Sequence, residues 1–481
     1  VKNFPTIAFC FFCLLCLTGC AGPQTAAAPE ADDRPNVVFF LADDQDIYDY
    51  GVYGNEWVHT PAVDRLAREG MRFVNAFTPQ AICAPSRSAT FTGRYPLKNG
   101  CFMNHSRTKD IRSVTDYMSD LGYEVVLAGK SHVQPAKVYD WDLSWETVPV
   151  EGKPRKHIPL DSIEAYFARA DRPFCMFITS MYPHGKWFDV PARPADSLLW
   201  HPHNEHKRSD EVYRKQRSGY YRSIEEDNAQ LESVLDLVDR YQSENTLFVY
   251  ASDHGVTGKF SLYDRGLNVP LVVRWPGVIE AGRVSDVLVN FVDVLPTLVD
   301  LAGGEPDPDF DGVSFLPVLK GSEQEIHEYV YGVRTSQNIM AAAVFPSRMV
   351  RSKEYKYIRN FNSMEVVEQN MQGKPYLNEF IRMGAQKFAG VPFEELYHVT
   401  EDPFEEVNLA KDPAHQELRE TLSQEMFAWM KEQGDILREE AGWMPIICAE
   451  RFQLDKEETF RAVPDHLEGT ITSADCLPLE Y

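Results

Sequence analysis

The chain has 481 residues, enough for two domains with substantial cores, and its 44% hydrophobic and 25% charged residues are the composition of an ordinary globular protein. A formal charge of −24 excludes a surface built to neutralise nucleic-acid phosphates, which requires an excess of Lys and Arg. An anionic ligand would need positive charge gathered locally.

The first predicted element is a processing signal. Lys2 precedes the apolar run Phe4 to Leu17, too short to span a bilayer comfortably. Leu17-Thr18-Gly19-Cys20 is similar to a bacterial lipobox, in which the cysteine is lipidated and becomes the new N-terminus. Residues 1–20 are therefore expected to be a lipoprotein signal peptide, and residues 21–35, rich in Ala, Pro and acid, a flexible tether. The expected location is outside the cytoplasm, periplasmic or at the outer membrane, with the N-terminal lipid as the only membrane contact. On that reading Cys10, Cys13 and Cys16 leave with the signal and Cys20 carries lipid. Cys83, Cys101, Cys175, Cys448 and Cys476 remain, an odd number for an oxidising compartment. Cys175, inside FCMFI, is expected in the core, and Cys448 with Cys476 is a candidate disulfide in the tail.

Further along, continuous apolar runs predict strands over Val37–Leu41, Glu124–Leu127, Phe174–Thr179, Thr246–Ala251 and Leu271–Arg274, buried on both faces as in parallel sheets. Between them, helices are predicted over Pro61–Glu69, Val114–Leu121, Tyr220–Tyr241 and Val292–Ala302. This alternation predicts an α/β fold, a doubly wound and mostly parallel sheet, over residues 36–345. From about Arg348 the pattern changes to the hairpin-like MVRSKEYKYIRNF, then ELYHV, then a helix near Gln416 to Glu432. Residues 346–481 are accordingly read as a smaller C-terminal α+β subdomain.

The chemically capable residues fall where such a sheet holds its ligands, just past the carboxyl ends of the strands. Asp43 and Asp44 follow VVFFLA, Lys130 and His132 follow VVLAG, His184 follows FCMFITSMYP, and Asp253 and His254 follow TLFVYAS. One such pair could merely cap the next segment; four together predict a site. The histidines of HPHNEHKR, His201, His203 and His206, lie outside the pattern, and that polar stretch reads as a solvated loop, with the wall of a substrate channel as the alternative.

Cys83-Ala84-Pro85-Ser86-Arg87, continuing to Thr92-Gly93-Arg94, resembles the C-x-P-S-R signature of sulfatases of the alkaline-phosphatase superfamily. Gly122-Tyr123 through Gly129-Lys130-Ser131-His132 resembles the family's second signature, and NVVFFLADD (Asn36 to Asp44) and SDHG (Ser252 to Gly255) resemble its metal-binding segments. Val125 and Phe91 depart from the usual residues, at positions that read as packing. The stretches at 129–143, 345–362 and 443–450 are similar to the sulfamidase, or heparan N-sulfatase-like, branch. The likeness covers essentially the whole chain after the signal.

That resemblance implies an alkaline-phosphatase-like fold and a specific chemistry. Cys83 would be oxidised by a formylglycine-generating enzyme to formylglycine, whose hydrate supplies the nucleophilic oxygen; a cysteine thiolate would form a thiosulfate ester with no second nucleophile to release it. Asp43, Asp44, Asp253 and His254, with the residue derived from Cys83, would hold a divalent cation, calcium with magnesium or manganese as alternatives. Three carboxylates and a neutral imidazole leave about one excess negative charge on such a site. Arg87, Lys130 and Lys259 would offset it and grip sulfate. His132 would take the proton that triggers collapse of the hydrate, and His184 would protonate the leaving group. The implied partner is a sulfated oligo- or polysaccharide, with no nucleic acid. A sulfamidase cutting S–N bonds, a phosphodiesterase or phosphonate hydrolase of the same superfamily, and a non-catalytic glycan-binding lipoprotein remain alternatives.

Overall fold

A computed structural model describes residues 34–334 and 345–437, apart from 105, 244, 362, 365–372, 374–389 and 436, together with the strands Ile446–Cys448 and Cys476–Pro478. The expected signal peptide and almost all of the tether lie outside the described residues, as do the side chains of Cys448 and Cys476. Among the described residues no helix is long and apolar enough to cross a membrane.

Eight strands form the main sheet: β1 (Asn36–Asp43), β2 (Met71–Phe73), β3 (Glu124–Gly129), β4 (Leu143–Trp145), β5 (Phe174–Pro183), β6 (Thr246–Ser252), β7 (Leu271–Arg274) and β8 (Arg283–Ser285). Their order is β4-β3-β5-β1-β6-β7-β2-β8. All pairings are parallel except the two that β7 makes, with β6 and with β2. The expected α/β fold is therefore present, and each of the five expected strands is found with its start at or within one residue of the predicted one.

The absence of apolar–polar alternation in β1 has a direct cause. Val37, Phe39 and Leu41 enter one core, with Phe91, Val114, Met118, Leu295 and Leu298. Val38, Phe40 and Ala42 enter the other, with Ala62, Leu66, Ile163, Leu231 and Leu235. Helices α1 (Pro61–Glu69), α4 (Leu160–Phe167) and α5 (Glu211–Tyr241) thus cover one face, and α2 (Cys83–Thr92), α3 (Val114–Asp120) and α6 (Val294–Leu301) the other. With both faces dry, every position of the strand favours an apolar side chain. Helix α5 starts nine residues before the predicted Tyr220. Its first two turns, EVYRKQR, are largely exposed and carry no apolar period, so only the Asp210 side chain, accepting from the Val212 amide at 2.8 Å, marks the start.

Register brings the strand ends to one edge. Leu41 pairs with Thr179 on β5 and with Ala251 on β6, while Gly129 pairs with Thr179. Gly129 must be glycine: its φ is +123°, and a Cβ there would stand 2.1 Å from the Thr179 carbonyl oxygen.

A second, antiparallel sheet has the order β9 (Val330–Arg334), β10 (Ser347–Arg351), β11 (Tyr355–Asn360), β12 (Glu394–His398), with α7 (Gln416–Glu432) against it. Val350 and Tyr357 pack with Leu422, Met426 and Trp429 of α7 and with Ala89 of α2. Met349 and Ile358 pack with Leu262 and Leu267 of the main domain. The described residues from Arg34 onward belong to one compact unit.

Candidate active site

Helix α2 is the platform. Ile82 enters extended at φ −147°, Cys83 opens the helix, and Gly93 closes it at φ +65° with its amide on the Ala89 carbonyl at 2.9 Å. Pro85 sits in the first turn, where its missing N–H costs nothing. All ten residues are buried. Small side chains allow that close approach, and the buried hydroxyls of Thr90 and Thr92 return to the carbonyls of Ser86 and Ser88 at 2.9 and 2.7 Å. Ser86 Oγ donates to the Asp253 carbonyl at 2.6 Å, tying the helix to the end of β6.

Cys83 Sγ, fully buried, lies 3.3 Å from His254 Nε2, 3.5 Å from Lys259 Nζ and 3.6 Å from Asp44 Oδ1. Around it the carboxylates of Asp43, Asp44 and Asp253 each place an oxygen within 4.8 Å of the others, and Cys83, Asp253 and His254 form an overlapping group, as do Asp44, Cys83 and His184. The Asp44 amide donates to Asp253 Oδ1 at 3.0 Å, and Asp44 is held at φ +67°.

Cations surround the acids. Lys130 Nζ is 2.5 Å from Asp43 Oδ2, Lys259 Nζ is 2.8 Å from Asp44 Oδ2, and Arg87 Nε is 3.1 Å from Asp253 Oδ2, with Arg87 Nη2 3.5 Å from Asp43 Oδ1. Burial alone would raise the Asp43 carboxyl, but Lys130 and Arg87 outweigh it and hold the group far below the usual carboxylate range. Asp44 is likewise opposed by burial and held well down by His254 and Lys259. Burial would lower His254, yet Asp253 and Asp44 keep it well above its ordinary value.

A hard divalent cation fits this donor set. Three buried carboxylates converge with one imidazole nitrogen, which suits an oxygen-preferring ion, and Asp43 Oδ1 is buried without a hydrogen-bond partner among the described residues. His254 Nδ1 stands 3.1 Å from the Gly255 carbonyl; a proton on that atom leaves the Nε2 lone pair facing the cluster.

Of the residues predicted from strand ends, the fold gathers Asp43, Asp44, Lys130, His184, Asp253 and His254 about Cys83, and Arg87 and Lys259 join them. His184 Nε2 is 3.7 Å from Asp44 Oδ2, with the side chain 33% exposed at the mouth of the cluster. His132 follows Lys130 by two residues at φ +55° and is outside the groups that converge within 4.8 Å. One neighbour escaped sequence reasoning: Arg155 Nη2 approaches His184 Nδ1 at 2.7 Å, and Arg155 Nε donates to the His184 carbonyl at 3.2 Å. Arg155 lies in an irregular segment far from any strand end, so nothing in its spacing announced it. The solvated-loop reading of HPHNEHKR needs correction. His201 is only 2% exposed, with Nε2 3.5 Å from Asp46 Oδ2, and its ring packs against Tyr48 and Phe404.

Comparison with known proteins places this geometry. The family model described as sulfatase matches residues 35–304, and that described as N-sulphoglucosamine sulphohydrolase, C-terminal, matches residues 252–376. The chain is 55% identical over 477 residues to an ulvan-active sulfatase of Formosa agariphila, covering 96% of both chains. It is 26% identical to human N-sulphoglucosamine sulphohydrolase over 90% of this chain and 96% of that one. A solved structure in complex with its substrate D-glucosamine-2-N,6-O-disulfate superposes with TM-score 0.67 at 19% identity, covering 88% of this chain and 100% of the other, a likeness of fold. With the family model spanning more than half the chain and a relative matching nearly all of it, the chain belongs to the sulfatase family of the alkaline-phosphatase superfamily.

Proposed function

We propose that this sulfatase removes sulfate esters from an ulvan-type sulfated polysaccharide, using a formylglycine made from Cys83 and a divalent cation held by Asp43, Asp44, Asp253 and His254. The observation that carries the reading is the position of Cys83 Sγ, which stands in for the formylglycine oxygen: buried, at a helix N-terminus, and within 3.3 to 3.6 Å of His254, Lys259 and Asp44. A structural cysteine has no use for that ring of charge. The substrate class is supported by the 55% identical relative that is active on ulvan.

When bound, the cation, calcium or alternatively magnesium or manganese, supplies Lewis acidity at the sulfate oxygens. Formylglycine, in its hydrated form, supplies an oxygen nucleophile whose second hydroxyl allows release. The chain's own residues do the rest. Lys130 and Lys259 neutralise Asp43 and Asp44 and turn the remaining donor capacity of their ammonium groups toward sulfate. Arg87 locks Asp253 and lends its charge from behind. His184, at the exposed mouth, protonates the departing sugar oxygen through Nε2 from its imidazolium form, whose Nδ1–H faces the Gly185 carbonyl at 2.7 Å. His132 takes the proton that frees the product. The lipobox at Cys20 supports export and lipid anchoring, which suits a polymeric substrate met outside the cell.

The test is sulfate release from ulvan oligosaccharides by protein co-produced with a formylglycine-generating enzyme. Wild type should release sulfate, and Cys83→Ala should fold and bind the oligosaccharide without turning it over. Near-normal turnover by that variant would sink the mechanism, and preferential turnover of matched phosphate diesters by wild type would favour the phosphodiesterase alternative.

A further inference from the structure

A cavity of about 290 Å³ is lined in part by His201 and by residues of the segments that carry the cluster. Its walls continue from the site's own segments. Trp187 lies three residues past His184, and Val256 and Thr257 lie between His254 and Lys259. Thr257 Oγ1 donates to Asp46 Oδ2 at 2.6 Å, two residues beyond Asp44. Nothing in the mechanism above uses this space.

Its lining has a definite chemistry. Trp187 and Trp200 are both half-buried, and each indole N–H is spent on a backbone carbonyl, of Pro183 at 2.7 Å and of Ala195 at 2.9 Å. The rings are thereby fixed and offer only apolar faces. Asn204 and Gln216 contribute amides that make no side-chain hydrogen bond among the described residues. His201, 98% buried, keeps Nε2 near Asp46, and its Nδ1 has no hydrogen-bond partner among the described residues. Arg217 is committed to Asp49 at 2.7 Å. Lys207 is different: its ammonium rests 4.7 Å above the Tyr213 ring, and among the described residues it has no carboxylate partner.

We infer that this cavity is a second saccharide subsite, which binds one anionic sugar residue next to the sulfated residue under attack. Fixed indole faces suit the C–H faces of a pyranose, the amides of Asn204 and Gln216 suit its hydroxyls, and Lys207 is the available partner for a carboxylate or a second sulfate. The volume, at the small end for ligand sites, takes one ring rather than a chain segment. The inference rests on the glycan reading above.

Binding can be scored without turnover, which separates the two. Calorimetric titration, made on protein produced without the maturing enzyme so that Cys83 stays a thiol and no sulfate is released, uses tetrasaccharides of ulvan in three forms: native, desulfated and carboxyl-reduced. Wild type should bind the desulfated form, Trp200→Ala should weaken that binding by at least about tenfold, and Lys207→Met should weaken binding of the native form by as much, both keeping the wild-type melting temperature. If the anion is a carboxylate, Lys207→Met should cost affinity on desulfated but not on carboxyl-reduced sugar; if it is a second sulfate, the loss should appear on the native form and vanish on the desulfated one. In steady state, Trp200→Ala should raise KM for the native tetrasaccharide with kcat little changed. Affinities equal to wild type in both variants on every form overturn the subsite, and a loss in Trp200→Ala alone overturns its anionic class. Absence of sulfate release by wild type, with binding as described, overturns the sulfatase mechanism and leaves the subsite standing.

Discussion

At the scale of single residues, His184 and Asp227 make separable predictions. A sugar alkoxide leaves poorly without a proton, whereas a nitrophenolate leaves well unassisted. His184→Ala should therefore lose about 10²–10⁴-fold on a sulfated saccharide and far less on an aryl sulfate; equal losses on both would remove His184 from the acid role. Asp227, on α5, is a buried carboxyl with no ion-pair partner among the described residues, and burial pushes it from 3.8 to about 8, with nearby Asp43 adding to the rise. The folded chain thus keeps a proton that the unfolded chain gives up. The stability this contributes is full below pH 3.8 and is lost as pH rises toward 8, at up to about 1.4 kcal/mol per pH unit. Asp227→Asn escapes that loss, so its melting temperature should gain on wild type between about pH 5 and about pH 8, and curves that stay parallel would contradict the assignment. The sequence made the strand-end acids and histidines legible because their position follows from the chain's own apolar runs. Arg155 and the burial of His201 were not legible, since both depend on partners brought from irregular segments.

Among elements, α2 decides where the chemistry sits. Phe91, on its sheet-facing side, packs edge-on against Phe177 at 4.9 Å and Trp141 at 5.5 Å between ring centres. Phe91→Ala should cost about 3–5 kcal/mol of stability, measured by denaturant unfolding, because the cavity lies beneath a helix of small residues that cannot fill it. A cost under about 1 kcal/mol would show that α2 is positioned instead by its hydrogen bonds, from Ser86 to the Asp253 carbonyl and from Arg87 Nη1 to the Lys130 carbonyl at 3.3 Å. The five buried strands were readable as uninterrupted apolar runs, and α7 matched its predicted span from Gln416 to Glu432. Short strands such as β2 and the edge strand β8 were not, because three residues carry too little pattern to separate from a loop.

For the whole molecule, the second sheet is more than an appendage. Lys356 of β11 is fully buried and bonds to Asp264, to Glu405 Oε1 at 2.6 Å and to the Leu262 carbonyl at 3.1 Å, while Arg351 of β10 reaches Asp264 Oδ2 at 3.1 Å. These contacts grip the loop that carries Lys259 between the ends of β6 and β7. Lys356→Met leaves Asp264 and Glu405 with less compensation, so it should lower stability by about 3–5 kcal/mol. It should also raise KM for sulfated substrate as the Lys259 loop loosens, whereas an unchanged KM in a destabilised variant would confine the network to folding. The cation should likewise act on the molecule as a whole. Exhaustive chelation should abolish activity and lower the melting temperature, calcium should restore both, and Asp253→Ala should respond to neither.

The most direct test of the account is the mass of the peptide carrying Cys83, followed against specific activity in protein made with graded amounts of the maturing enzyme. The account predicts that the thiol is replaced by an aldehyde and that sulfate release rises in proportion to the converted fraction. Full activity in protein whose Cys83 remains a thiol would contradict it.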